Sequence, residues 1–194
     1  MYKLAVYSIC KNEKNNLLTY LNAAEDADYI VILDTGSTDG TWEELQEYAK
    51  LPQWKGKLII DQNVYNPWRF DTPRNDNLAM IPADAEICWQ VDLDEVIQEG
   101  AIAQVKAAWQ PNTKMCWYKY SWSVNEDDTP RVQFWYNKIH KRDFWYWRFP
   151  VHETLYTKNG QEVSSDEQIH LNKDFVHHHP EEKESRNSYL PLLE

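Results

Sequence analysis

The sequence predicts an α/β fold: a mainly parallel central sheet flanked by helices, with an aromatic-rich antiparallel addition in the C-terminal half. Three observations predict it. Apolar, β-compatible runs alternate with helix-spaced segments up to position 110, a rhythm that implies right-handed crossovers and parallel strands. Two of those runs end in aspartate, at Asp34 and Asp92, which places both carboxylates on the same edge of such a sheet. Beyond Pro111 the pattern changes to runs dense in Trp, Tyr and Phe without helical spacing.

Residues 4–9 read as the first strand, and the polar stretch 12–16 breaks it. Leu17, Leu18, Leu21 and Ala24 then fall at helical spacing. Residues 29–33 form a second buried run, followed by Thr35-Gly36-Ser37-Thr38-Asp39-Gly40, a turn with two glycines. Thr41 and Glu44 have capping-box spacing for a helix with Trp42, Leu45 and Tyr48 on one face, and Pro52 ends it. A short third strand covers 57–60. Pro73 suits the first turn of a helix, which directs Arg74 from near that N-terminus into the crevice. The run Cys88-Trp89-Gln90-Val91 reads as a central strand that stops at about Asp92, because Asp and Glu have low strand propensity. Ala101, Ile102, Val105, Ala108 and Trp109 suggest a helix closed by Pro111; residues 115–122, 131–139 and 143–149 are aromatic strands, with a turn at 125–130. No linker, repeat or low-complexity segment interrupts the chain. It is expected to form one domain, 1–194, in two halves, 1–110 and 111–194.

Composition narrows the function. A length of 194 residues supports a proper core, and a net charge of −11 argues against a nucleic-acid surface. The three cysteines, Cys10, Cys88 and Cys116, are odd in number and lie far apart, which argues against a disulfide framework or a cysteine metal site. The first apolar run is too short for a signal peptide and none reaches transmembrane length, so a soluble, cytoplasmic protein is expected. The 10 Trp and 12 Tyr against 5 Gly are unusual, and many lie between Trp117 and Trp147. Core packing is the commoner role for any one ring, but their density favours a flat polar ligand such as a sugar.

Asp92-Leu93-Asp94-Glu95 carries the chemistry. In an open α/β sheet, ligands sit outside the carboxyl ends of the strands. The Asp-x-Asp pair offers hard oxygens to a divalent cation such as Mn²⁺ or Mg²⁺, which in turn holds phosphates; a solvated acidic turn is the plain alternative. Arg74 suits a phosphate or an acidic partner, or else a surface salt bridge. His152-Glu153 follows the aromatic strands. In the stretch His177-His178-His179, an extended backbone puts His177 and His179 on one face and turns His178 away. One of these histidines is a candidate to complete a metal site begun by Asp94, the alternative being a polar tail.

These residues resemble the family 2 glycosyltransferases of GT-A fold. The match runs through Ser8-Ile9-Cys10-Lys11-Asn12-Glu13, Ile32-Leu33-Asp34-Thr35-Gly36-Ser37-Thr38-Asp39-Gly40-Thr41, Pro73-Arg74-Asn75 and Val91-Asp92-Leu93-Asp94-Glu95. In detail it is similar to the lipopolysaccharide-core glucosyltransferase branch, which has a later Val-His-Glu like Val151-His152-Glu153, and the chain looks like a small, near-minimal member. The resemblance implies an inverting transfer of a sugar, read as a hexose, from a nucleotide-sugar (most often a UDP-sugar) to the hydroxyl of a carbohydrate or lipid-linked glycan acceptor, with Mn²⁺ or Mg²⁺. It implies that Ser8, Ile9, Asn12 and Glu13 line the nucleoside pocket, with Asp34 near the uracil. Thr35 stands where many members carry a second Asp that reads the base. Arg74 would approach the diphosphate or support Asp92, Asp92 and Leu93 would approach the donor, Asp94 and Asp92 would hold the metal, and His179 or His177 would complete it. Glu153 is the expected catalytic base, with Glu95 as the alternative. Trp117, Trp145, Trp147 and His152 are expected at the acceptor. A non-catalytic carbohydrate-binding protein would use the same aromatic rings. A sugar nucleotidylyltransferase would need a glycine-rich phosphate loop near the N-terminus, and residues 8–16 contain no glycine. A dinucleotide oxidoreductase lacks its Gly-x-Gly-x-x-Gly.

Overall fold

The computed structural model describes residues 2–179; the charged and leucine-rich segment from Pro180 onward lies outside the described residues. The elements in chain order are β1 (Leu4–Cys10), α1 (Leu17–Ala23), β2 (Tyr29–Asp34), α2 (Thr41–Lys50), β3 (Leu58–Gln62), α3 (Asp71–Met80) and β4 (Ile87–Gln90). There follow β5 (Glu95–Ile97), α4 (Ala101–Ala108), β6 (Met115–Val124), β7 (Pro130–Lys141), β8 (Trp145–Arg148), β9 (Thr154–Thr157) and β10 (Gln168–His178).

Eight strands form one sheet in the order β3-β2-β1-β4-β7-β6-β10-β5. The first four are parallel. The aromatic strands continue the same sheet: β7 joins β4 antiparallel, β6 returns beside β7, and β10 runs parallel to β6. Among the described residues, β8 and β9 alone make a separate two-stranded sheet. Leu4 and Val6 pack on one face with Leu17, Tyr20, Leu21 and Leu45, while Ala5 and Tyr7 pack on the other with Leu78 and Trp147. Burial on both faces is the reason β1 reads as a continuous apolar run rather than an alternating one. All three cysteines are buried in this core. Among the described residues, no helix is long and apolar enough to cross a membrane.

Three local expectations are corrected. Leu18 is 52% exposed, because α1 has only seven residues and turns Leu17, Tyr20 and Leu21 inward. The capping box at Thr41 does not form; α2 starts after Gly40, whose φ of 98° is left-handed, with no side-chain cap. The Thr41 hydroxyl instead accepts the Glu13 N–H at 2.9 Å and donates to Asp39. β5, β9 and β10 have no counterpart in the sequence expectations: two are too short for a period, and the pairing of β10 is non-local.

Candidate active site

The site lies at the carboxyl ends of β1, β2 and β4. At β2, Asp34 Oδ1 accepts the N–H groups of Gly36 and Ser37 and the amide of Gln62, each at 2.9 Å. Burial alone would raise the Asp34 pKa, but the bonds from Ser37, Gln62 and Gly36 prevail and hold it below the ordinary range. The turn requires glycine at 36, where φ is 99° and a Cβ would stand 3.1 Å from Val64 Cγ2. Asn12 locks the β1 loop to this turn: its N–H donates to Ser37 Oγ and its Oδ1 accepts the Thr38 N–H, both at 2.8 Å. Glu13 is buried beside Thr41. Ser8 is enclosed, with its hydroxyl on the Ile9 carbonyl, and Leu93 packs into the core. Thr35 is also turned inward, donating to the Cys10 carbonyl at 2.9 Å.

At β4 the structure gathers Arg74, Asp92 and Glu153, residues far apart in sequence. Arg74 projects from the first turn of α3 and is buried. Its Nε donates to Glu153 Oε1 at 2.7 Å, and its Nη1 and Nη2 reach the two oxygens of Asp92 at 3.2 and 3.4 Å. The guanidinium lies 5.3 Å from the centre of the Trp147 ring. Asn75 fastens β8 to α3 by two bonds to the Trp147 backbone, each 2.8 Å. Glu95 is committed as a brace: Oε2 accepts the Asp92 N–H at 2.8 Å and Oε1 accepts the Tyr120 hydroxyl at 2.7 Å. Burial, with the charge of Asp92, pushes its pKa up to about 7.

Sequence reasoning missed Lys138, buried on β7 with its ammonium 4.4 Å from the centre of the Trp147 ring and 5.2 Å from that of Tyr136. Burial and the nearby Arg74 bring its pKa down to about 8, against the pull of Asp92, Glu153 and Glu95. The signal was a lysine inside an apolar, aromatic strand.

The histidines are placed differently from the expectation. It is His178 that meets Asp94, with Nε2 3.6 Å from Oδ2. His178 Nδ1 lies 3.2 Å from the Trp122 carbonyl, which holds the ring with Nε2 toward Asp94. His177 and His179 turn their rings to Asp128 instead, because side chains alternate along β10. The acceptor expectations also need correction. Trp147 and Trp145 are buried, their indole N–H groups donating to the Tyr7 hydroxyl at 2.9 Å and the Lys114 carbonyl at 2.8 Å. Trp117 sits near the start of β6, stacked on His170, at the end away from Asp94. His152 is exposed. Among the described residues, exposed rings near the site include Trp122, 4.7 Å from His178, and Phe134, 5.3 Å from Tyr120.

A family model described as glycosyl transferase family 2 matches residues 6–168. The lipopolysaccharide core biosynthesis glycosyltransferase LpsC of Rhizobium meliloti (strain 1021) is 30% identical over 97 residues, covering 50% of this chain and 33% of its own length. The chain therefore spans about a third of that relative. Among solved structures, S. aureus TarS 1–349 in complex with UDP-GlcNAc superposes with a TM-score of 0.64 at 16% identity, over 94% of this chain and 60% of that one. The mannosyltransferase PcManGT from Pyrobaculum calidifontis, in complex with GDP-Man and Mn²⁺, gives 0.50 at 20% identity, over 66% and 38%. At these identities the likeness is one of fold, the GT-A fold. The family match covers most of the chain, and the protein belongs to glycosyl transferase family 2.

Proposed function

We propose that this protein moves a hexose from a UDP-sugar to an acceptor hydroxyl in one in-line displacement that inverts the anomeric carbon. The Arg74–Asp92–Glu153 bridge beside Asp94 and His178 carries this reading. Asp34 is fully enclosed, with three donors on Oδ1 and the Cys10 thiol 3.7 Å from Oδ2, so it would serve the base by holding the turn at 36–38, which Asn12 also fastens, rather than through an open oxygen. Asp94, Asp92 and His178 Nε2 would hold the cation; two carboxylates and an imidazole suit Mn²⁺, with Mg²⁺ second. A bound cation would stabilise charge on the departing diphosphate. Arg74 holds Asp92 toward the donor and Glu153 toward the acceptor through one guanidinium. Lys138 adds a second positive charge under the diphosphate. Glu153 takes the proton from the acceptor hydroxyl as its oxygen attacks the anomeric carbon and the bond to the diphosphate breaks. Trp122 and Phe134 offer the stacking faces for the acceptor or the donor sugar.

Calorimetric titration with UDP and a panel of UDP-sugars, with Mn²⁺ and with chelator, tests this. Nucleotide binding should require the metal and be lost in Asp94→Asn. Glu153→Gln should bind donor normally while transferring roughly 10²–10⁴ times more slowly. Equal UDP affinity in chelator would overturn the metal assignment, and transfer by Glu153→Gln at the wild-type rate would place the base elsewhere.

A further inference from the structure

We infer a second divalent-cation site, suited to Zn²⁺, formed by His177 and His179 of β10 and Asp128 at the tip of the β6–β7 hairpin. The three ligand atoms lie within 4.8 Å of one another. His177 Nδ1 is 3.2 Å and His179 Nε2 3.5 Å from the same Asp128 oxygen. A tetrahedral ion with arms of about 2.0–2.1 Å sets its ligand atoms about 3.3 Å apart, so small rotations suffice to close on it. Two imidazoles and one carboxylate, with a fourth position open to water, form a softer set than the Asp-x-Asp carboxylates.

Two features beyond proximity support a built site. His177 uses its other nitrogen, Nε2, on Asp174 Oδ2 at 2.8 Å, the carboxylate–histidine arrangement that fixes a metal-binding ring. Asp174 stands where the register of β10 against β6 shifts on both sides, and a bulge of this kind re-aims a side chain. Its Oδ1 is buried without a partner among the described residues, while Oδ2 is shared by His177 and the Ser121 hydroxyl, each at 2.8 Å. The hairpin tip is equally fixed. The Asp128 N–H donates to the Asn125 carbonyl at 3.0 Å, and Asp128 takes a φ of 62°. The site is distinct from the Asp94 centre because His178, between the two ligands, faces the opposite side of β10. An ion here clips the hairpin that carries Trp122 to the strand end that carries His178, and so holds the acceptor side of the crevice in place.

Direct titration of the metal-free full chain with Zn²⁺ alone, without nucleotide, tests this. Asp128 and His179 are half exposed, at 55% and 44%, so their variants should fold. Asp128→Asn and His179→Gln should each weaken Zn²⁺ binding at least tenfold and abolish the Zn²⁺-induced rise in melting temperature. Asp174→Asn should weaken it roughly 10–100-fold. Asp94→Asn should retain both the binding and the rise. Two outcomes would overturn the inference. In one, Asp128→Asn and His179→Gln bind Zn²⁺ like the wild type. In the other, Zn²⁺ binding vanishes in Asp94→Asn, and the ion belongs to the Asp-x-Asp centre.

Discussion

Replacing Arg74 probes the centre of the site most directly. Its side chain is 6% exposed, while those of its partners Glu153 and Asp92 are 13% and 38% exposed. Arg74→Ala leaves a nearly buried carboxylate at 153 and a half-exposed one at 92 without their shared cation. Removing one partner of a buried ion pair costs about 3–5 kcal/mol. Water can take over part of the solvation of Asp92, which puts the expected loss at the low end, about 3 kcal/mol. For a chain of this size, 1 kcal/mol corresponds to roughly 2–4 °C of melting temperature, so the variant should melt roughly 6–12 °C lower. Arg74→Lys keeps the charge but loses the fork that serves both acids at once, at a cost of about 1–3 kcal/mol. The assay is thermal melting of the three proteins at low and high salt; a buried bridge keeps the ranking in salt, whereas a surface pair is screened. An Arg74→Ala protein melting within about 2 °C of the wild type would refute the bridge.

Three further outcomes are expected. Burial brings the His140 pKa down to about 4, where the ring sits 2.7 Å from the Tyr7 hydroxyl. The unfolded chain takes up that proton below about pH 6.5 while the folded protein does not, so the contribution is whole above pH 6.5 and lost as pH falls toward 4. It amounts to about 3 kcal/mol at about 1.4 kcal/mol per pH unit, and urea titrations of the wild type and His140→Gln should diverge across that window; parallel profiles would contradict it. Gly36→Ala should cost about 1–3 kcal/mol, because Ala is strained at a φ of 99°; an unchanged urea midpoint would rule out the left-handed turn. Glu95→Gln can keep both bonds, its oxygen accepting the Asp92 N–H and its amide donating to the Tyr120 hydroxyl. It should therefore retain most transfer activity, and an inactive variant would make Glu95 the base.

The first half of the fold was legible because its signals are local. β1, β2 and β4 are buried on both faces and read as unbroken apolar runs, and their ends are marked by Asp34 and Asp92. Pro73 marked the first turn of α3 and thereby the place of Arg74. The tie from Arg74 to Asp92 was one of the two expectations for that residue and is present, but the tie to Glu153 was not legible, because it forms only through the return of the chain from β8 into β9. Lys138 was hidden for a related reason. A lysine in a strand reads as an edge or solvent-facing residue, and only the packing of β7 between β4 and β6 buries it. The tryptophans misled in the opposite sense: ring density suggested a sugar platform, whereas Trp145 and Trp147 find hydrogen-bond partners inside the core.

The exchange of His178 for His177 and His179 at Asp94 follows from strand parity. His170 pairs with Trp117 and stacks on it, so a regular β10 would keep every even-numbered residue on the Trp117 face. That register would put His178 away from Glu95 and Asp94 and bring His177 and His179 toward them, the arrangement that the family resemblance implied. Between Leu171 and Val176, however, β10 advances five residues (171 to 176) while β6 advances two (118 to 120). The excess of three is odd, and an odd slip turns every later side chain to the other face. His178 therefore joins Tyr120 and Trp122, on the side where Tyr120 reaches Glu95. His177 falls with Ser121 and Asp174, and His179 follows it to Asp128. The same irregularity that brings a histidine to Asp94 thus leaves two others with a carboxylate of their own. His178→Ala should therefore remove Mn²⁺-dependent UDP binding while His177→Ala leaves it intact. If His177→Ala removes it and His178→Ala does not, the parity of β10 does not set the ligand at Asp94.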